Sequence, residues 1–429
     1  NAGRMGKELW TSGDRGELIS VYAAYNEQDE ARFIAERIQV WLAAGGSCDE
    51  VAMLYRSNAQ SRVLEEALLR AAIPYRIHGG HRFYERLEIR NALAYLRLLV
   101  NPDDDAAVER VLNTPTRGIG ERTVAQLREV ARAGGISLWQ VLRNGVGDLP
   151  ARAAGAVRGF TALIEELRAD VDRFDLAELA DRMLARTGLL EFHRRETGER
   201  GAARAENLDE LISACRAFVP EAPDQPLLPQ FLDAAALDAG DAQAEGDTAA
   251  VQLMTLHSAK GLEFPLVFMA GVEENLFPHK MSLDEPGRLE EERRLCYVGI
   301  TRAMTKLYLT WAETRNLHGR EQFNTPSRFL RDIPAELLEE VRLRATITRP
   351  VSFAARPVSY ATRPSTGTAK LADNGTGFVL GQRVAHKKFG EGVVLGFEGL
   401  GPQARVQVNF RSGGAKWLVM QFAGLSALT

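Results

Sequence analysis

The sequence predicts an α/β protein: one parallel-sheet domain interrupted by an all-helical insertion, then a flexible linker and a small β-barrel. Three observations carry this. Two apolar runs, "ELISVYAAY" (17–25) and "VAMLYRS" (51–57), flank an amphipathic stretch from about Asp29 to Ala44, the pattern of a βαβ unit. From about Asn101 to Asp247 the periodicity is helical throughout, with loops such as "GVGDLPARAAG" and "VPEAPDQPLLP". Strands then return in "VQLMTL" (251–256), "PLVFMAG" (265–271) and "KLYLTWAE" (306–313).

Taken in order, residues 1–10, "NAGRMGKELW", lack an initiator methionine and read as the end of a preceding element, so the chain is expected to be a fragment. The sheet domain covers 11–101 and 248–335. Within it, helices are expected over about Ser61–Ala72 and Leu87–Val100, with "YRIHG" as a short strand and His78 as a core histidine. The helical insertion covers 102–247. Residues 336–376 hold Pro350, Pro357 and Pro364 among small polar residues, the composition of a flexible linker. Residues 377–429 alternate over short strands broken by glycine turns, as in a small β-barrel. That barrel sets Arg383, Lys387, Lys388, Arg405, Arg411 and Lys416 against Glu391 and Glu398, so its partner is either acidic or merely solvent.

Bulk composition excludes several classes. A net charge of −4 argues against a uniformly basic nucleic-acid binder, leaving local patches as the route to any such contact. Cysteines 48, 215 and 296 are too few and too far apart for a disulfide framework or a CxxC zinc site, and they suit a reducing cytoplasmic setting. The longest apolar run, near Phe264–Val272, is far short of a membrane span, and no signal peptide is evident.

Chemistry is expected beyond the carboxyl ends of the parallel strands, where ligands of such sheets bind. "LYRSNAQSR" places Tyr55 and Arg56 at one strand end, and "TLHSAKGLEF" places His257, Lys260 and Glu263 in the loop after another. "RRLCYVGITRA" (293–303) reads as a helix ending at Arg302. Leu295, Val298 and Arg302 share one face, and Leu289, Cys296, Ile300 and Ala303 the other, which suggests packing between two layers. A guanidinium buried there needs an anion, either a carboxylate of the same domain or a ligand phosphate. "NTPTRGIGERT" has the form of a glycine turn opening a helix, with Thr114, Thr116, Arg117, Gly118, Ile119 and Gly120 ahead of it. Residues 110–132 form a local basic patch, five arginines against Glu121 and Glu129.

In that order and at those separations, "LYRSNAQSR", "GGHRFYERLEI", "TPTRGIGERT", "TLHSAKGLEFPLVF" and "EEERRLCYVGITRA" resemble the UvrD/PcrA/Rep group of superfamily 1 DNA helicases. The resemblance covers essentially the whole chain. It implies a RecA-like domain, called 2A, interrupted by a mobile helical domain, 2B, and followed by a Tudor-like barrel. It implies that Arg56 and Arg302 reach the γ-phosphate of ATP as arginine fingers, that Tyr55 stacks on adenine and that Glu263 accepts from the ribose. For duplex DNA it implies the turn Thr116, Arg117, Gly118, Ile119 and Gly120. For the single strand it implies Thr255, His257, Lys260 and His279, with Phe83 and Arg86 as further candidates.

No GxxxxGK[ST] occurs in the chain and no Walker B acidic pair is evident, so the ATP and its Mg2+ are expected to be held by N-terminal domains 1A and 1B of the same protein. The function so implied is the C-terminal part of an ATP-dependent 3′–5′ DNA helicase of nucleotide excision and mismatch repair, inactive as a fragment. The alternative is a DNA-binding interaction module whose barrel docks RNA polymerase or repair proteins.

Overall fold

The computed structural model describes residues 16–145, 149–240, 249–283, 287–317 and 320–341, together with strands between 383 and 427. The chain divides into two units, Asn1–Thr346 and Ile347–Thr429. The first opens with β1 (Ile19–Ala24), α1 (Glu27–Ala43), β2 (Val51–Tyr55), α2 (Ser61–Arg70) and β3 (Tyr75–Ile77). Local chemistry explains α1: Asn26 caps it by accepting the Asp29 amide at 2.9 Å, and Glu27, Asp29 and Glu30 lie in its first turn.

Helices α3 (Leu87–Val100), α4 (Asp105–Val111), α5 (Glu121–Gly134), α6 (Leu138–Asn144), α7 (Ala151–Asp170), α8 (Leu176–Thr187), α9 (Leu189–Arg194), α10 (Glu199–Ala217) and α11 (Leu227–Gly240) follow. The sheet resumes with β4 (Val251–Thr255), β5 (Phe264–Met269), α12 (Lys280–Leu283), α13 (Arg288–Ile300) and β6 (Ala303–Ala312). A hairpin, β7 (Thr314–Leu317) and β8 (Arg320–Phe323), and a last strand, β9 (Leu338–Glu340), complete the unit.

Seven strands form one sheet in the order β3-β4-β2-β5-β6-β1-β9, and each of its pairings is parallel. β2 lies inside it and is buried along its whole length, as a central strand covered on both faces must be. Its side chains alternate: Met53 and Tyr55 enter the core beneath α1 and α2, while Ala52 and Leu54 enter the core beneath α13.

Four expectations need correction. The apolar side chains of α3, from Ile89 to Leu99, are buried in the helical core with α4–α11, together with Phe83 and Tyr84, so the helical core draws on residues well before 102. Leu338–Glu340 lies in the stretch expected to be linker, yet β9 pairs with β1 and extends the sheet; residues 342–376 lie outside the described residues. Helix α13 does not pack between two layers. Its buried residues, Glu292, Leu295, Cys296 and Gly299, make one stripe at helical spacing, while Arg294 and Tyr297 face solvent. His78 is exposed, with its backbone amide bonded to the Leu253 carbonyl.

The second unit is an antiparallel sheet in the order β13-β12-β11-β10-β14, from β10 (Arg383–His386), β11 (Gly390–Glu398), β12 (Arg405–Phe410), β13 (Gly414–Val419) and β14 (Leu425–Ala427). Val384, Val406 and Val408 are buried in it, the last two at the period of a strand with one covered face. Lys387, Lys388 and Arg411 of the expected basic cluster lie outside the described residues.

Candidate functional site

The direction of the strands separates the residues expected around a single nucleotide. Tyr55 closes β2 and pairs with Thr255, the last residue of β4. Phe264 opens β5 and pairs with Ala303, the first residue of β6. Since Val51 is level with Leu266, Tyr55 and Phe264 stand six residues apart along the strands, or ~20 Å at about 3.3 Å per residue. Tyr55 and Arg56 therefore occupy the carboxyl edge of the sheet, whereas Glu263 and Arg302 occupy the amino edge. No single phosphate can be reached from both.

At the amino edge, α13 ends at Ile300, and Arg302 sits in the turn into β6 with its amide bonded to the Gly299 carbonyl at 3.1 Å. Its carbonyl accepts the Phe264 amide at 2.9 Å, which joins it to the residue after Glu263. The guanidinium is oriented by neutral groups: Nε donates to the Val298 carbonyl at 3.0 Å, Nη1 to the Leu262 carbonyl at 2.6 Å and Nη2 to the Thr301 hydroxyl at 3.0 Å. Among the described residues no carboxylate pairs with it. Of the two anions expected for this guanidinium, a carboxylate of the same domain is therefore not its partner among the described residues; half-exposure and three neutral acceptors hold it. Two of its five N–H donors remain, and its charge is uncompensated. Glu263 beside it is exposed. A polyanion arriving from outside would meet a preoriented cation here.

The carboxyl edge differs. The Tyr55 ring is 1% exposed and its hydroxyl is buried without a partner, so burial pushes its phenol far above the ordinary value. No ring face is open to a base, and the stacking role implied for it does not fit this fold. Arg56 grips Glu292 of α13, with Nε 3.0 Å from both carboxylate oxygens and Nη2 2.7 Å from Oε1. Glu292 also accepts from the His279 amide at 3.2 Å and from the Ser282 hydroxyl at 3.2 Å. Burial works to raise the Glu292 carboxyl, but the Arg56 hydrogen bonds and charge override it and hold it below the usual carboxylate range. The fork of Arg56 is thus a structural tie.

The same edge collects residues expected to meet a single strand. Thr255 is half-buried and shares a hydrogen bond of 3.1 Å with Ser258, while His257 and Lys260 are exposed on the following turn. His279 is 20% exposed, and its Nε2 lies 3.2 Å from Glu206 of α10, which also accepts from the Ser57 hydroxyl. The segment from Thr255 to Glu263 runs from one sheet edge to the other. Phe83 and Arg86 do not join it. Phe83 is core, and Arg86 is buried with donors on the Asn58 carbonyl, the Asn207 amide oxygen and the Ser61 hydroxyl at 2.6–2.9 Å.

In the 116–120 turn, the Asn113 side chain accepts the amides of Arg117 and Ile119 at 2.7 and 3.2 Å, which folds the chain back ahead of α5. Thr116, Gly118 and Gly120 are exposed, and Gly118 has φ +80°, a conformation that suits glycine. Ile119, 1% exposed, is an anchor in the helical core. Arg117 turns inward: its donors meet the carbonyls of Val111, Pro115 and Thr187 and the Tyr95 hydroxyl, and its guanidinium lies over the Phe160 ring. Direct contact of Ile119 and Arg117 with DNA is therefore not what their side chains are arranged for.

Sequence reasoning missed Glu292 and Glu206. Glu292 sits in a run of acidic and basic residues, and nothing local marks the one that faces Arg56, 236 positions away. Among the described residues, no group of three or more His, Cys, Asp or Glu side chains is placed to hold a metal, and no helix is long and apolar enough to cross a membrane.

A parallel sheet of this order, interrupted by a helical body and carrying an oriented arginine at its amino edge, is a RecA-like α/β protein. Residues 1–314 match the model of the UvrD-like helicase C-terminal domain, and residues 380–426 match that of the PcrA/UvrD tudor domain. The chain is 54% identical over 432 residues to DNA helicase II of Salmonella typhimurium and 53% identical over 432 residues to DNA helicase II of Escherichia coli, in each case across 100% of this chain and 58% of the relative. It is 40% identical over 447 residues to the ATP-dependent DNA helicase PcrA of Bacillus subtilis, across 99% of this chain and 58% of the relative. The chain belongs to the UvrD-like helicase family, and it spans 58% of the length of these relatives.

Proposed function

We propose that this chain is the C-terminal part of an ATP-dependent 3′–5′ DNA helicase acting in DNA repair, and that it supplies the second wall of a nucleotide site whose phosphate-binding and Mg2+-binding half lies in domains 1A and 1B of the full protein. The observation that carries the proposal is Arg302. It is a guanidinium oriented by three neutral acceptors and, among the described residues, left without a carboxylate, at an edge where Glu263 is also exposed. A fixed, uncompensated cation costs no rearrangement when charge develops on a transferring phosphoryl group, and that is the property an arginine finger needs. Glu263 is the neighbouring acceptor for the ribose.

Arg56 is better read as part of the DNA-side edge than as a second finger, because Glu292 occupies its fork. Thr255, His257, Lys260 and His279 share that side of the domain as contacts for a single strand, and such phosphate and stacking contacts are indifferent to sequence, as translocation requires. The Thr255–Glu263 segment connects this edge to the nucleotide edge in nine residues, a short physical route by which nucleotide state and strand grip can be linked. The turn at 116–120 takes duplex DNA.

In the full-length protein, Arg302→Ala should lower ATP turnover by about 10²–10³-fold while nucleotide affinity changes only a few-fold. Turnover within a few-fold of the parent would remove Arg302 from the transition state and the proposal with it. A second role rests on the tudor-family match at 380–426: the C-terminal unit docks a protein partner such as RNA polymerase.

A further inference from the structure

We propose that Arg152, on a helix remote in sequence from the 116–120 turn, is the cation with which that turn holds a phosphodiester of duplex DNA. The inference rests on the duplex reading of the turn and extends it to a residue outside the motif. The turn exposes Thr116, Gly118 and Gly120 but has no outward cation of its own, because Arg117 is folded into the helical core. Glu121 and Arg122, both exposed, follow the turn with opposite charges. Arg152, in the first turn of α7, lies over the open side of Gly118. Its Nε, Nη2 and Cζ atoms stand 3.5, 3.7 and 3.9 Å from the place a Cβ on Gly118 would occupy. The side chain is exposed and, among the described residues, makes no ion pair or hydrogen bond.

The juxtaposition has a chemical reading. A missing Cβ lets a phosphate approach the backbone, and a planar five-donor guanidinium beside it can take two phosphate oxygens at once. Such a contact neutralises one phosphate and reads no base, so it adds affinity for any duplex and sets register without sequence preference.

The test is binding of the 429-residue chain to a tailed duplex and to a single strand of the tail sequence, each across a salt series. For Arg152→Ala, duplex affinity should fall several-fold and the slope of log affinity against log salt should drop by about 0.9, one phosphate contact fewer. Single-strand binding should stay as it was. Arg152→Lys should keep the slope. Gly118→Val, which strains a left-handed residue and displaces the guanidinium, serves as the control for the turn itself. If Gly118→Val weakens duplex binding while Arg152→Ala leaves affinity and slope intact, the role of Arg152 is overturned and the duplex reading stands. If neither change weakens duplex binding, both fall.

Discussion

Arg56 and Arg302 look alike in the sequence, each following a short apolar run, and they differ only in what surrounds the guanidinium. One meets a buried carboxylate in a bidentate grip, the other three neutral oxygens. A carboxylate held that closely is a tie, since removing one member leaves the other charge half-buried and unmatched. Glu292→Gln should therefore destabilise the sheet domain by about 3 kcal/mol, at the low end of the range for breaking a buried pair. The pH dependence follows from the sign of the shift. Glu292 is held below the usual carboxylate value, so its contribution is complete above the unfolded value of about 4.3 and is lost as the pH falls through the lower folded value. Denaturant unfolding of the parent should thus weaken more steeply below about pH 4.3 than that of Glu292→Gln. Parallel curves for the two proteins would mean that the pair contributes nothing to stability.

At the scale of the element, α13 decides where Arg302 stands, and Gly299 decides how close α13 can lie. A Cβ at Gly299 would sit 2.6 Å from Leu256 and 2.9 Å from Met269, inside the core shared by the helix, β5 and the turn after β4. Gly299→Val should lower stability by about 1–3 kcal/mol through overpacking, with thermal melting as the measure. An unchanged melting temperature would show that the helix can shift away at no cost. The helix was legible from its 3.6-residue period, but its packing was not. Cys296 and Leu295 are apolar and buried, yet Val298 and Ile300 are equally apolar and only partly covered, and Glu292 is charged and buried. Period assigns residues to faces; it does not say which face a neighbouring layer will cover. The same holds for the 116–120 turn, whose glycines marked it while the inward path of Arg117 depended on Tyr95, Phe160 and Thr187.

At the scale of the whole molecule, the sheet domain is completed from beyond the point where its last apolar strand ends in the sequence. β9, with the sequence Leu338-Glu339-Glu340, covers the edge strand β1 through parallel pairing at Ile19, Ser20 and Val21. A chain ending at residue 341 should keep the parent's melting of the sheet domain, whereas one ending at 336 should melt at lower temperature and aggregate, because β1 then presents an unpaired edge. Equal melting of the two would show that β9 is dispensable. Both truncations also remove the tudor-like unit, so neither should show the partner docking proposed for it, whereas the chain ending at 341 should retain DNA binding.

By itself the sequence determined the α/β class of the first unit and the strand character of the second, because apolar periodicity and glycine turns act over a few residues and survive without knowledge of the fold. It also determined the family, since five ordered motifs carry that signal. Only the tertiary structure decided which motif residues can work together. Strand direction put Glu263 and Arg302 at one edge of the sheet and Tyr55 and Arg56 at the other, and a carboxylate 236 positions away tied the Arg56 guanidinium. Those are distances across a sheet and charges across a core, quantities that no local pattern of residue types contains.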